Sequence, residues 1–169
     1  MSGRVWILCV ALTGLVVLAC GAGGESESPV FGDTSELSLE LEISSAPEDT
    51  LPTIILGEPV TLVFRISNPT ANPIRITTSG QKYEFIVEDS GVEVWRWSLG
   101  KDFTCEAVMA TIEPGQTIIY EEDWDQSDND GNPIEVGLYR LRAVYTSANL
   151  QTGIRFAVSD VVIRPADEG

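Results

Sequence analysis

The chain has no histidine, three cysteines, and 10 basic residues against 26 acidic ones among its 169. Each shortage closes a class of chemistry. Histidine is the commonest general base and nitrogen ligand, so its absence excludes Ser/His/Asp and Cys/His nucleophile pairs and ordinary zinc catalysis. The acids lie mostly on alternating positions or in turns, as on a solvated face, and we expect no enzyme, no cofactor and no metal. A net charge of −16 repels nucleic acid and anionic lipid, so no nucleic-acid partner is expected. Outside the first twenty residues nothing reads as a convincing helix, and no internal repeat is present. The length fits one domain plus extras.

What is there begins with MSGRVWILCVALTGLVVLACGAGG. A charged start with Arg4, an apolar run from Val5 to Ala19 and then small residues make a secretory signal pattern over residues 1–19. Val17, Leu18, Ala19, Cys20 and Gly21 resemble the bacterial lipoprotein box, with Leu18 a less usual residue at its place. The resemblance implies that Cys20 becomes the acylated first residue of the mature chain. Several acyl chains hold a protein stably where one, at about 0.8 kcal/mol per buried CH₂, holds it marginally. The mature chain would carry 26 acids against 9 bases, a net of −17. The alternative is an uncleaved membrane anchor, because the apolar run is near the ~18 residues that a span requires. Both place the rest of the chain outside the cytoplasm. With Cys9 removed and Cys20 acylated, Cys105 stands alone and no disulfide staples the fold; we read it as a small packing residue. Residues 20–36, rich in Gly, Ser and Glu, read as a lipid-anchored flexible linker.

From residue 37 to 165 the pattern is β. LSLELEIS, residues 37–44, sets Leu37, Leu39, Leu41 and Ile43 on one side and polar residues on the other, a half-buried strand. Val60, Leu62, Phe64 and Ile66 repeat the alternation, and Ile74 with Ile76 begins a third strand after an NPTANP turn. Further strands are expected at 83–88, 92–97, 117–124, 137–146 and 154–163. Short strands between Pro, Gly, Asn and Asp turns suggest an immunoglobulin-like antiparallel β-sandwich of about 7 to 9 strands behind an N-terminal signal helix and its tether. Tyr139 enters its strand from a long loop, as a tyrosine-corner residue does, and shares a face with Leu141, Ala143 and Tyr145.

Strands 83–88 and 92–97 flank Asp89, Ser90 and Gly91. A three-residue loop would pair Phe85 with Trp95, Tyr83 with Trp97, and Glu84 with Arg96. A two-residue loop would set Glu88 against Glu93. Facing like charges are unfavourable, so the three-residue loop is expected. It places Tyr83, Phe85, Trp95 and Trp97 on one face, which we read as core, with Trp97 partly exposed near the strand end.

The stretches SNPTANPIRITTSGQKYEFIVEDSGVEVWRWSLGKDFT and IEPGQTIIYEEDWDQSDNDGNPIEVGLYRLRA resemble the domain of the BsuPI-type intracellular proteinase inhibitors. The matching positions are Asn68 to Thr70, Ser79 to Gln81, Tyr83, Phe85, Gly91, Glu93 to Ser98, Pro114, Gly115, Trp124 to Gln126, Gly131, Gly137 and Tyr139, within about residues 57–158. The resemblance implies the sandwich and, for the founding member, inhibition of an intracellular serine protease. An export signal removes an intracellular target from this chain. The matching residues read as turn formers, aromatic core and a corner tyrosine.

Two surfaces remain. Glu121, Glu122, Asp123, Asp125, Asp128 and Asp130 invite calcium. However, aligning Gly131 with the obligatory EF-hand glycine puts Gln126 and Gly137 at the two end ligand positions, and both fail. The loop reads instead as Asp and Asn turns. The connection 98–109 offers Leu99, Lys101 and Phe103 as partner contacts suited to a specificity pocket. The expected protein is therefore a membrane-tethered envelope β-sandwich that contacts a protein partner, a serine protease being the best-specified one. The alternative is an accessory envelope module without inhibitory activity.

Overall fold

The expected alternation becomes buried and exposed faces one residue at a time. In the computed structural model, which describes residues 30–44, 51–146 and 155–166, β1 (Ser38–Ser44) turns Leu39, Leu41 and Ile43 toward the core and leaves its Ser and Glu residues exposed. β3 (Val60–Ser67) buries Val60, Leu62, Phe64 and Ile66. β3 is the centre of a three-stranded antiparallel sheet, with β1 on one side and β8 (Thr117–Trp124) on the other. β2 (Thr53–Ile55), β10 (Arg155–Arg164), β9 (Gly137–Tyr145), β5 (Tyr83–Asp89) and β6 (Val92–Arg96) form, in that order, a five-stranded sheet. β4 (Ile74–Thr78) and β7 (Val108–Ile112) make a separate antiparallel pair.

Aromatic contacts join the two larger sheets face to face. Phe64 of β3 meets Phe85 of β5 edge-on, with centroids 6.3 Å apart, and Tyr120 of β8 stacks on Tyr83 of β5 at 4.3 Å. Fully buried Trp124 lies 5.9 Å from Trp95. Such pairs each add about 0.5–1.5 kcal/mol beyond area burial. Ile74, Ile76 and Ile112 carry the small β4–β7 pair into the same core. The protein is thus an all-β sandwich, as its periodicity required. On β9, Tyr139, Leu141, Ala143 and Tyr145 are buried together, and the Tyr139 hydroxyl donates 2.9 Å to the Glu135 carbonyl, the corner bond expected of it.

Three differences from the sequence reading have physical causes. The described strands number ten, above the expected 7 to 9, and β2 runs parallel to β10. β2 is three residues long, and β7 has four exposed residues before one buried residue, so neither carries an alternating signal. The β5–β6 hairpin uses a two-residue loop in place of the expected three: Ser90 and Gly91 have φ of 50° and 82°, both positive as in the turn whose twist matches its flanking strands. Glu88 does face Glu93, but Arg142 lies 3.3 Å from Glu88 and Arg96 pairs with Glu93, which relieves the repulsion. A bulge then absorbs Val94, so that Val87 faces Trp95 and Ile86 faces Arg96. The net slip is two residues from the expected register, which conserves side-chain faces. Tyr83, Phe85, Trp95 and Trp97 therefore share the core side after all.

Third, residues 31–36, composed like a tether, pack on the domain. Gly32 N–H donates to the Pro73 carbonyl at 3.0 Å, Asp33 and Glu36 form a capping box around the 3-10 turn Thr34–Glu36, and Arg75 sits 3.7 Å over the Phe31 ring. The Arg155 guanidinium donates to the carbonyls of Thr34 and Leu37. The expected signal helix and Cys20 lie outside the described residues.

Candidate functional site

The loop that carries Leu99, Lys101 and Phe103 starts from a buried acid. Glu84 on β5 is 3 % exposed. A carboxylate so placed requires several donors, since an unpaired buried charge is costly. It has them: Ser98 N–H at 3.0 Å on one oxygen, and on the other Gln81 Nε2 at 2.9 Å, Arg96 Nη1 at 3.3 Å and the Ser98 hydroxyl. Arg96 also pairs with Glu93, which holds the Glu93 carboxyl below the usual carboxylate range. The Arg96 amide donates 2.8 Å to Asn129 Oδ1. The end of β6 is thereby fixed to β5 and to the acidic loop.

From Ser98 the chain turns sharply. Lys101 N–H returns to the Ser98 carbonyl at 3.0 Å, and Gly100 has φ 73°, a conformation suited to glycine. The turn leaves Leu99 55 % exposed. It folds Lys101 Nζ to 3.7 Å above the Trp97 ring, and half-buried Phe103 packs 5.6 Å from the same ring. Of the three residues read as partner contacts, Lys101 and Phe103 thus meet at Trp97, while Leu99 stays exposed beside them on the same groove. Tyr83 covers Trp97 from the core side at 4.5 Å. The Tyr83 hydroxyl donates to Glu122, and burial, reinforced by that carboxylate, raises its pKa well above the ordinary tyrosine value.

Across from Trp95, Trp97 and Lys101 stand Glu122, Asp125 and Asp128, enclosing an open groove of about 420 Å³. Its acidic wall is built from turns. Asp125 accepts from the Ser127 hydroxyl and amide, and Asp128 accepts from Asn132 N–H at 2.8 Å and Asp130 N–H at 2.9 Å. These bonds hold both carboxyls below their usual range. Of the side chains that invited calcium, Asp125 and Asp128 accept from backbone amides, and Glu122 and Asp123 from the hydroxyls of Tyr83 and Thr61; among the described residues no three Asp, Glu or Cys groups converge as metal ligands. The groove offers indole faces and one lysine on one side and carboxylates on the other.

Other anchors fall at motif positions that the sequence identified only as turn formers and aromatic core. Gln126 is buried at φ 61°; its amide donates to the Ile55 and Glu58 carbonyls and accepts from Gly57 N–H, clamping the turn before β3. Asn68 bonds Thr70, the Asn72 carbonyl and the Ile112 carbonyl, tying the NPT turn to β7. Trp124 Nε1 donates 3.0 Å to the Ser127 carbonyl. The family motif was the available signal for each, since Asn68, Trp124 and Gln126 are all matching positions. Cys105 is exposed, against the packing role expected of it.

No curated protein sequence matches the chain. Solved structures align with the chain at low identity. The C-terminal domain of wzt aligns at 11 % identity and TM-score 0.45 over 78 % of this chain and 75 % of that one. A CARDB domain from Pyrococcus furiosus aligns at 15 % identity and TM-score 0.40 over 76 % of this chain and 94 % of that one. A β-glucosidase from Erythrobacter marinus aligns at 12 % identity and TM-score 0.41; 76 % of this chain is covered, yet it spans only 15 % of the enzyme. A family model, by contrast, matches residues 50–150, more than half of the chain and all of the anchors around Glu84, Gln126 and Asn68. The chain belongs to the BsuPI family, described as intracellular proteinase inhibitor.

Proposed function

We propose that this protein is a non-enzymatic, lipid-anchored inhibitor or docking module that uses the Leu99–Lys101–Phe103 turn to contact a serine protease outside the cytoplasm. One observation carries the reading. The turn is exposed yet fixed at both ends, by Glu84 at Ser98 and by Trp97 beneath Lys101 and Phe103. Such a segment loses little freedom on binding, and ordering would otherwise cost about 0.5–1.5 kcal/mol per rotamer-rich side chain. The family description supports a protease as partner, and the signal pattern ending at Cys20 supports the location.

Titrating the full-length protein in detergent against a subtilisin-like protease tests this. Stoichiometric loss of activity with the inhibitor left intact is expected, and Phe103→Ala should weaken it. Rapid cleavage, or indifference at micromolar concentration, rejects inhibition. Palmitate labelling that disappears in Cys20→Ala checks the anchor. An accessory module without inhibitory activity is the second reading. It is favoured by the motif residues Asn68, Ser98 and Gln126 being spent on backbone and neighbouring side chains rather than facing outward. Indifference to protease would select it.

A further inference from the structure

Sheet edges offer unpaired backbone groups, and proteins discourage chance pairing there with charge, brevity or bulges. Most free edges here follow that rule. β1 carries Glu40 and Glu42, β8 carries Glu121, Glu122 and Asp123, β6 has Glu93 and the bulge, and β2 has three residues. β7 does not. Its five residues, VMATI, contain no charge, proline or glycine, and β4 is its only strand neighbour among the described residues. Val108 is 51 % and Met109 74 % exposed, while Ile112 roots the strand in the core.

The ends of this bare segment are marked. Glu106 stands two residues before it and Glu113 directly after it; both are exposed, and neither belongs to an ion pair of the described residues. An extended chain laid along the edge would meet apolar and small side chains at its centre and a carboxylate at either end. A second copy fits poorly, because two-fold antiparallel pairing of β7 with itself brings Glu106 of one copy close to Glu113 of the other, in a molecule already at −16.

We propose that the outer edge of β7 is a strand-addition site that takes an extended segment of a partner protein, apolar in the middle and basic at both ends, as the third strand of the β4–β7 sheet. Backbone bonds supply affinity in this mode, and the terminal charges supply register. The site uses other residues than the groove at Trp97 and stands whether or not a protease is inhibited.

The test uses the full-length protein in detergent and three capped seven-residue probes: Lys-Thr-Val-Thr-Val-Thr-Lys, its counterpart with glutamate ends, and an N-methylated form of the first that cannot complete the ladder. Amide exchange at residues 108–112 is the readout. The lysine-ended peptide should slow exchange there and the other two should not. In a Glu106→Lys, Glu113→Lys double variant, the preference should reverse, with affinity for the lysine-ended peptide falling about tenfold. Both positions are exposed, and an unchanged melting temperature shows that the variant is folded. Equal protection by both charged peptides, protection by the N-methylated form, or no protection at millimolar peptide overturns the proposal. So does protection already present without peptide, which would show that a second copy or another part of the chain covers the edge.

Discussion

The base of the β5–β6 hairpin and strand β7 are built on opposite terms. At the hairpin base every charge has a counterpart: Glu84 is surrounded by donors, Arg96 bridges two acids, and Asn129 holds the strand from the far side. On β7 nothing is charged and little is covered. The family motif is dense in the first region and silent across the second, where Thr104 to Ile112 contribute no motif position. Residues that satisfy one another define a fold; residues left unsatisfied are where a particular chain is free to acquire partners.

Substitutions at four positions sharpen or break that contrast. Glu84→Ala should have the largest effect, about 3–5 kcal/mol in urea unfolding, because it strands Arg96, Ser98 and Gln81 around an empty buried position. A loss near zero would mean that the network is ornamental. Gln126→Ala leaves two carbonyls and one amide without their partner and should lose about 1–3 kcal/mol. Gln126→Gly, which relaxes the positive φ, separates strain from bonding. Glu93→Gln acts through pH. Its carboxyl is held below the ordinary 4.5 by hydrogen bonds from Arg96, so the stability it lends is present above that value and is lost as pH falls through the lowered folded-state pKa. Melting temperature should therefore decline less steeply on the acid side of pH 4.5 in the variant than in the parent. Met109→Lys, on the bare strand, should change stability by no more than about 0.5 kcal/mol. A larger loss would show that β7 is part of the folded core's support and would erase the comparison.

Much of the sandwich was legible because burial has a period. β1, β3 and β9 each announce their inner faces by alternation, and the corner bond of Tyr139 followed from its place at a strand entrance. The hairpin shows the limit. Weighing one like-charged pair favoured the wrong loop, because the relief comes from Arg142 on β9, about fifty residues away in sequence, and from a bulge that no local rule requires. Even so, the tryptophans kept their face, since a slip of two preserves parity. β7 was invisible for the reason that makes it interesting: a strand with both faces exposed has no hydrophobic rhythm. Leu99, Lys101 and Phe103 were chosen for loop chemistry alone. The placing of Lys101 and Phe103 against Trp97 follows the positive φ of Gly100 and the grip of Glu84 on Ser98, neither of which spacing can reveal.

The docking of Phe31 to Leu37 onto the domain, through Arg75 and Arg155, sets a length scale. If Cys20 carries the proposed lipid, ten residues, 21–30, separate it in sequence from the docked segment, and ten residues reach at most about 35 Å. That is roughly one small-domain diameter, so the protein would patrol a thin shell above its membrane, and any partner would have to come within that shell to be met.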